Sequence, residues 1–304
     1  NTAVGFQTLL VSTGTSNVGV GGYALTANSS GTYNTAIGFQ ALTSIQTNSF
    51  STAVGAYALI LNTAAANTAV GYSSLYANTS GVRNTGLGYQ SLSAIVTTND
   101  STAVGYNALL LDTGGSNTAV GSGALDANTT GTGNVGIGLN ALGSISTNGQ
   151  SVAVGSGALA SATAADNVAV GFNAGTLITT GIGNIAIGRS ALDADISGVY
   201  NVAIGYEALG SNTAADNVAI GGQALLANTS GTRNTALGRL TLSSIITAND
   251  STAIGYNALA SDTGGSNTAV GSGALDANTT GTGNVGIGLN ALGSISTNGQ
   301  SVAV

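Results

Sequence analysis

The chain has 304 residues and a formal net charge of −7, from 11 acidic residues against four arginines and no lysine. Pro, Cys, Met, Trp and His are absent, Gly occurs 48 times, and hydrophobic residues make up 43% of the chain. This composition argues against a disordered chain and against a nucleic-acid-binding surface, and without a run of about 18 apolar residues no membrane-spanning helix is predicted.

A five-residue phrase recurs along the whole chain: Asn or Ser, then Thr, Val or Ile, then Ala or Gly, then Val, Ile or Leu, then Gly. It first occurs as NTAVG at Asn1, and the following copies are spaced 16, 17 and 17 residues apart, which gives six blocks of 50 residues. Repeats this short cannot bury a hydrophobic face alone. We therefore expect a single continuous repeat array over residues 1–304, which we interpret as an excerpt of a longer protein.

The elements follow one another in the same order in each repeat, which we number from its Asn or Ser. The opening phrase predicts a short strand because its residues are small or β-branched. Ala or Gly at position three and Gly at position five predict close approach of another backbone, and the Val, Ile or Leu at position four is expected to fill the core. A second short strand is expected around the Ala–Leu pair at positions eight and nine. Leu occupies position nine in 17 of 18 repeats, with Gly175 as the exception.

The predicted fold class is therefore all-β, a parallel β-solenoid or β-roll of 16–17-residue repeats in a 50-residue superperiod. In such a stack, like residues align in ladders, and ladders of Asn can hydrogen-bond along the axis. The predicted structural ladders contain asparagines at position one, glycines at position five and isoleucines at position twelve: Asn17, Asn67, Asn117, Asn167, Asn217 and Asn267; Gly5, Gly55, Gly105, Gly155, Gly205 and Gly255; Ile45, Ile95, Ile145, Ile245 and Ile295.

Position twelve leaves two arrangements open. Ile, as in Ile45, alternates there with Asn or Asp in the other repeats, so one repeat per turn would mix apolar and polar residues in one column. Three repeats per turn would give each residue type its own column, and we favour that arrangement on this ground. The residue that lies one turn from Val4 decides the matter: Val20 indicates one repeat per turn, and Val54 indicates three.

The stretch STAVGYNALLLDTGGSNTAVGSGAL (residues 101–125) resembles the head repeats of trimeric autotransporter adhesins, the YadA-like heads. The resemblance extends over the whole chain and implies a left-handed parallel β-roll with three chains side by side. The adhesin repeat is shorter than the 16 or 17 residues found here, so one chain could imitate the three-lobed section that adhesins build from three. Similar arrays also occur in phage and viral fibre proteins.

Signals of catalysis or of a cofactor are nearly absent from the sequence. Without His, Cys or Lys, the usual catalytic bases and nucleophiles are missing, and Glu207 is the only Glu. The glycine clusters at Gly19–Gly22 and Gly136–Gly138 lack the following helix that a phosphate loop requires. Acidic residues such as Asp112, Asp193 and Asp195 are interpreted as turn-capping residues rather than calcium ligands. We expect no enzyme activity, no cofactor and no metal site.

Two surface features carry further hypotheses. Five candidate N-glycosylation sequons recur at position twelve, although turn formation also explains them and is the preferred interpretation: Asn28, Asn78, Asn128, Asn228 and Asn278. Thr is frequent at position two, which a regular ice-binding face would require, but Val or Ile replaces it through residues 152–218.

The sequence thus predicts a structural shaft or head segment of an extracellular filament or adhesin, located outside the cell or on its surface. The alternatives are a phage or viral tail-fibre shaft and, more distantly, an ice-binding solenoid. The expected partners are further copies of the chain, in a lateral homotrimer or an end-to-end filament, and a host-surface or matrix ligand. No nucleic acid and no membrane partner are expected for this segment.

Overall fold

The structure, a computed structural model, describes residues 1–304 and contains short parallel β-strands joined by tight turns, with no helix. Its contacts divide the chain into two compact units, Asn1–Gln150 and Ser151–Val304. The first unit contains β1–β9: Thr2–Val4, Val18–Val20, Thr35–Ile37, Thr52–Val54, Thr68–Val70, Thr85–Leu87, Thr102–Val104, Thr118–Val120 and Val135–Ile137. The second contains β10–β19: Val152–Val154, Val168–Val170, Ile185–Ile187, Val202–Ile204, Val218–Ile220, Thr235–Leu237, Thr252–Ile254, Thr268–Val270, Val285–Ile287 and Val302–Ala303.

Each repeat forms one full turn of the solenoid, which we call a coil. In the first unit Val4 pairs with Val20, and Val54 pairs with Ile37 and Val70, so the strands of consecutive repeats are hydrogen-bonded in register. Consecutive strands pair in the same way within the second unit. The parallel β-solenoid is confirmed, and the favoured arrangement of three repeats per turn is wrong.

Tight backbone reversals explain why 16 or 17 residues suffice for a turn. In a typical coil, positions five, seven and nine and the last residue all have positive φ, as in Gly38, Gln40, Leu42 and Phe50. Each such residue bends the chain sharply, because the left-handed region reverses the local direction of the backbone. The expected second strand around the Ala–Leu pair is therefore wrong. These residues form a turn, although the Leu25 amide still donates to the Ala41 carbonyl of the next coil at 3.1 Å.

The core of each unit is thin, and it selects small residues on the strands. The Ala at position three is buried, whereas the Val, Ile or Leu at position four points outward, with Ile37 41% and Leu87 44% exposed. The expectation that position four fills the core is thus wrong. Leu at position nine occupies that space: a Cβ on Gly136 would lie 3.2 Å from Leu125 Cγ. A branched side chain at position three would collide with this leucine.

The glycines at position five stack directly on one another between coils. Gly55 has a φ of 129°, a conformation open mainly to glycine, and a Cβ there would lie 2.5 Å from the carbonyl oxygen of Gly71. The predicted close approach of backbones at this position is therefore present. Within the first unit Gly5 and Gly105 occupy the same column, as Gly155, Gly205 and Gly255 do within the second.

Candidate functional site

The chain has no pocket, and no group of three or more acidic side chains lies close enough together to hold a metal ion. Its distinctive side-chain arrangements are instead columns that run from coil to coil. Two of these columns are buried, at positions one and twelve. Two others lie on the surface, one along the strands and one along the turn that follows them.

The asparagines at position one form a mixed side-chain and backbone ladder. In the first unit the Asn34 amide donates to Asn17 Oδ1 at 2.9 Å, and Asn17 Nδ2 donates to the Gly31 carbonyl at 2.8 Å. Asn84 and Asn134 bond in the same way to Asn67 and Asn117. In the second unit the acceptors include Asn167, Asn217 and Asn267. Each side chain therefore links two coils and satisfies backbone groups that would otherwise be buried without partners.

Where Ser replaces Asn at position one, the ladder continues through a hydroxyl group. The Asn67 amide donates to Ser51 Oγ at 3.4 Å, and the Asn117 amide donates to Ser101 Oγ at 3.3 Å. These contacts are longer than the 2.9–3.0 Å bonds to asparagine. Both serines open the 16-residue repeats.

The residues at position twelve share one buried column in each unit. In the first unit Ile45, Ile95 and Ile145 alternate with pairs of polar residues, so the isoleucines do not form a column of their own. In the second unit Ile245 and Ile295 occupy the equivalent positions. The 50-residue superperiod therefore describes the order of residues along one column, with two polar coils followed by one apolar coil. Ala162, Ile178 and Asp195 are the exceptions to this order.

The polar residues of this column hydrogen-bond to each other in pairs. Asn78 Nδ2 donates to Asn62 Oδ1 at 2.7 Å, and Asn128 Nδ2 donates to Asp112 Oδ1 at 2.6 Å. The pairing of buried donors with buried acceptors explains why two polar coils stand together, since an isolated buried polar group is costly. In the third coil an isoleucine occupies the column, so the polar pair is followed by an apolar residue.

Three aspartates at position twelve are fully buried: Asp112, Asp195 and Asp262. Burial raises the pKa of the Asp112 carboxyl, while hydrogen bonds from the Gly114 amide and from Asn128 and Asn117 act in the opposite direction. The pKa values of Asp195 and Asp262 are raised for the same reason. Asp112 lies among asparagine and backbone donors rather than other carboxylates, an arrangement that serves packing within the coil.

The one repeat without Leu at position nine carries a compensating change in the column. Gly175 replaces the leucine, and Ile178 occupies the position where most equivalent repeats have Asn. A Cβ on Gly175 would lie 2.9 Å from Ile178 Cδ1 and 3.1 Å from Leu159 Cδ2. Ile178 thus fills the volume of the missing leucine. The sequence shows the exception at Gly175, but its link to Ile178 becomes visible only once both side chains are placed in the core.

The five candidate glycosylation asparagines also lie in the buried column, and none of their side chains is exposed. In Asn28, Asn78, Asn128, Asn228 and Asn278 the Nδ2 atom that would carry a glycan donates to the carbonyl of the glycine three residues later. The asparagines of the sequons thus stabilise turns, as the turn-formation interpretation of the sequence expects. Attachment of a glycan to the folded coil would require this turn to open.

Two other acidic positions considered in the sequence lie at the surface. Glu207 accepts a hydrogen bond from Gln223 Nε2 at 3.0 Å, and contacts with Tyr206 and Gln223 lower the pKa of Glu207. Burial raises the pKa of the half-buried Asp193 carboxyl. Neither residue lies in a pocket or in an acidic cluster.

The outer face of the strands carries two parallel rows of side chains. Thr at position two pairs with Thr of the next coil in much of the first unit, as in Thr52 and Thr68, and these side chains are half-buried or exposed. The row at position four consists of Val, Ile and Leu. The sheet therefore presents one hydroxyl row beside one apolar row, and its row of threonines is interrupted at Val18 and Val135.

The turn after the strand carries an aromatic ladder, which the sequence analysis did not identify. It consists of seven rings in seven consecutive coils, with neighbouring ring centroids 5.4–5.9 Å apart: Phe6, Tyr23, Phe39, Tyr57, Tyr72, Tyr89 and Tyr106. The signal in the sequence is one aromatic residue at position six or seven in each of the first seven repeats. Because the ring changes between two positions, a search for a single aromatic column misses it.

The structure contains no helix that could span a membrane. No protein-family model matches the sequence, and a search of curated proteins finds no match.

Proposed function

We propose that the chain is a structural segment of an extracellular filament or adhesin, in which it acts as a stiff spacer. The observation that supports this most directly is the linkage between coils. Within each unit, consecutive coils share strand pairing, hydrogen bonds between turns and the asparagine ladder, so that one coil cannot open without breaking bonds to its neighbours. Repetitive structures of this kind transmit load through nearest-neighbour contacts.

The composition supports a role without catalysis. The chain lacks the residues that most often act as bases and nucleophiles, and its three buried aspartates are engaged with asparagine and backbone donors. The surface location is supported by the resemblance of the repeats to adhesin heads. In a phage or viral fibre shaft, the chain would have the same spacer role.

The spacer role is tested by resistance to proteolysis and to force. Trypsin has four arginine sites, so a broad-specificity protease such as subtilisin is the stricter probe. We expect the folded chain to persist under conditions that degrade it after denaturation, and to unfold only at high force between marker domains in single-molecule pulling. Rapid cleavage within many coils, or unfolding at low force, would refute the proposal.

Lateral self-association is the partner proposal that the surface supports. The apolar row at position four includes Ile37, Leu87 and Ile137, which are 41%, 44% and 38% exposed, and exposed apolar rows favour contact with another protein surface. Sedimentation of the wild type and of a triple variant with Thr at these positions tests the idea. We expect the wild type to sediment as an oligomer, such as a trimer, and the variant as a monomer. A monomeric wild type would refute lateral association but not the spacer role.

Ice binding is a second candidate, favoured by the Thr row of the first unit. Thr occupies position two in seven of its nine strands, and in-register pairing gives the hydroxyl groups a regular spacing of about 4.8 Å between coils. Thermal hysteresis of the purified chain, compared with a Thr52→Lys/Thr68→Lys variant, tests this function. Absence of hysteresis in the wild type would eliminate ice binding.

A further inference from the structure

The aromatic ladder is maintained from coil to coil by compensation between two positions. Position six carries a ring in Phe6 and Phe39, but the intervening coil has Gly22 there and supplies Tyr23 at position seven instead. The same exchange recurs one coil further on, where Ala56 is followed by a ring from Tyr57. The ladder thus stays unbroken through seven coils although no single position is aromatic throughout.

The fold itself does not require this ladder. The second unit forms coils with the same strand pairing, yet it contains only four of the 14 aromatic residues of the chain. Its equivalent positions include Ser156, Gly222 and Ser272. Ring contacts stabilise neighbouring coils, but comparable coils form without them. The continuous ladder is therefore a property of the surface of the first unit, not of the solenoid.

The ladder is exposed, apolar and free of charge. Its rings at position six are 44% to 65% exposed. Positions six and seven of the first unit contain no charged residue, whereas those of the second unit contain Arg189, Glu207 and Arg239. A single-stranded nucleic acid stacks on aromatic side chains only where basic residues neutralise its phosphates, and these are missing here.

Neutral amide side chains alternate with the rings. Gln7, Gln40 and Gln90 occupy position seven beside rings at position six, and each is exposed or half-buried. Amides offer both donors and acceptors without charge. A ligand that fits this surface therefore has apolar faces for the rings, hydroxyl groups for the amides, no charge, and a chain that extends over several coils.

We propose that the aromatic ladder of residues 6–106 binds an extended, neutral, β-linked polysaccharide. A pyranose ring has an apolar face of C–H groups and a rim of hydroxyl groups, which correspond to the aromatic rings and the amides. Tyr72, Tyr89 and Tyr106 have nearly parallel rings whose centroids are 5.4 Å apart, a step close to the length of one sugar unit in such a chain. Neighbouring rings from Phe6 to Tyr72 are nearly perpendicular to each other, so the three parallel rings form the main stacking surface. This binding goes beyond the spacer role and does not depend on it.

The experiment uses the full chain and affinity electrophoresis in gels that contain hydroxyethyl cellulose, a soluble neutral β-glucan. The test variant is Tyr89→Ser/Tyr106→Ser, and the matched control is Tyr206→Ser/Tyr256→Ser, at the same position of coils in the second unit. Ser occurs naturally at this position in Ser122, Ser156 and Ser272, so both variants are expected to fold. Far-UV circular dichroism and melting temperature verify that they do.

We expect the polysaccharide to retard the wild type and the control equally, and the test variant to bind at least tenfold more weakly. Absence of retardation of the wild type, equal retardation of the test variant, or equal binding to an anionic polysaccharide or single-stranded DNA would each overturn the proposal. Self-association that disappears in the test variant, without polysaccharide binding, would assign the ladder to a second copy of the chain and would also overturn it. None of these results bears on resistance to proteolysis, which tests the spacer role separately.

Discussion

The exchange at Gly175 and Ile178 allows the packing of the core to be tested by a double-mutant cycle. Gly175→Leu alone places a side chain where a Cβ already meets Ile178 Cδ1 at 2.9 Å. Overpacking of this kind costs about 1–3 kcal/mol, and a non-glycine residue in the left-handed region adds about 1 kcal/mol. Ile178→Asn alone removes a fully buried side chain, at a cost of about 2–5 kcal/mol.

The double variant restores the pair found in other coils, such as Leu225 with Asn228. The new leucine fills the volume left by Ile178, and the asparagine can donate to the Gly181 carbonyl, as Asn228 donates to Gly231. We therefore expect the double variant to be more stable than either single variant, with a coupling free energy of at least about 2 kcal/mol.

Amide hydrogen exchange is the suitable assay because repeat proteins open locally as well as globally. The Gly175 amide, which donates to the Ala191 carbonyl at 2.8 Å, reports on this coil directly. We expect its protection to fall in both single variants and to recover in the double variant. If the two single effects simply add in the double variant, the inferred exchange of volume between the two side chains is refuted.

Three further predictions concern columns of residues that stack from coil to coil. Asp112→Asn should raise the melting temperature at pH 7, because the raised pKa of Asp112 means that the folded state favours the protonated carboxyl. For the same reason the stability of the wild type should increase as the pH falls towards 3.8, and the variant should lose part of this pH dependence. Gly55→Ala should destabilise the chain by more than about 1 kcal/mol in urea unfolding, while Gly22→Ala, with 3.6 Å of clearance, should be nearly neutral. Asn84→Ala should cost about 2 kcal/mol or more by leaving buried backbone groups unpaired, and Asn84→Ser should cost less.

Each of these has a result that would contradict it. An unchanged pH dependence in Asp112→Asn would show that this carboxyl is not destabilised by burial. Equal stability of the two Gly→Ala variants would remove the argument from stacked glycines. If Asn84→Ala unfolds at the wild-type urea concentration, the asparagine ladder contributes nothing measurable to stability.

The sequence by itself determined the all-β class, the stacking of repeats and the close approach at Gly55. These follow from local rules: a strict period, small and β-branched residues, and a glycine that nothing else replaces. The asparagine ladder at position one was also predicted from the same period. These features are encoded by the residue pattern of each repeat, so they can be predicted without knowing which repeats lie next to each other in the fold.

The tertiary structure decided which repeats are neighbours and which side chains face inward. A residue such as Val4 could pair with Val20 or with Val54, and the choice depends on how far the turns bend the chain. The expectation that like residues form separate columns failed because polar residues such as Asp112 and Asn128 hydrogen-bond to each other across coils. The outward direction of position four, the exchange at Gly175 and the aromatic ladder all depend on contacts between coils. Those contacts exist only once each repeat has closed into a full turn.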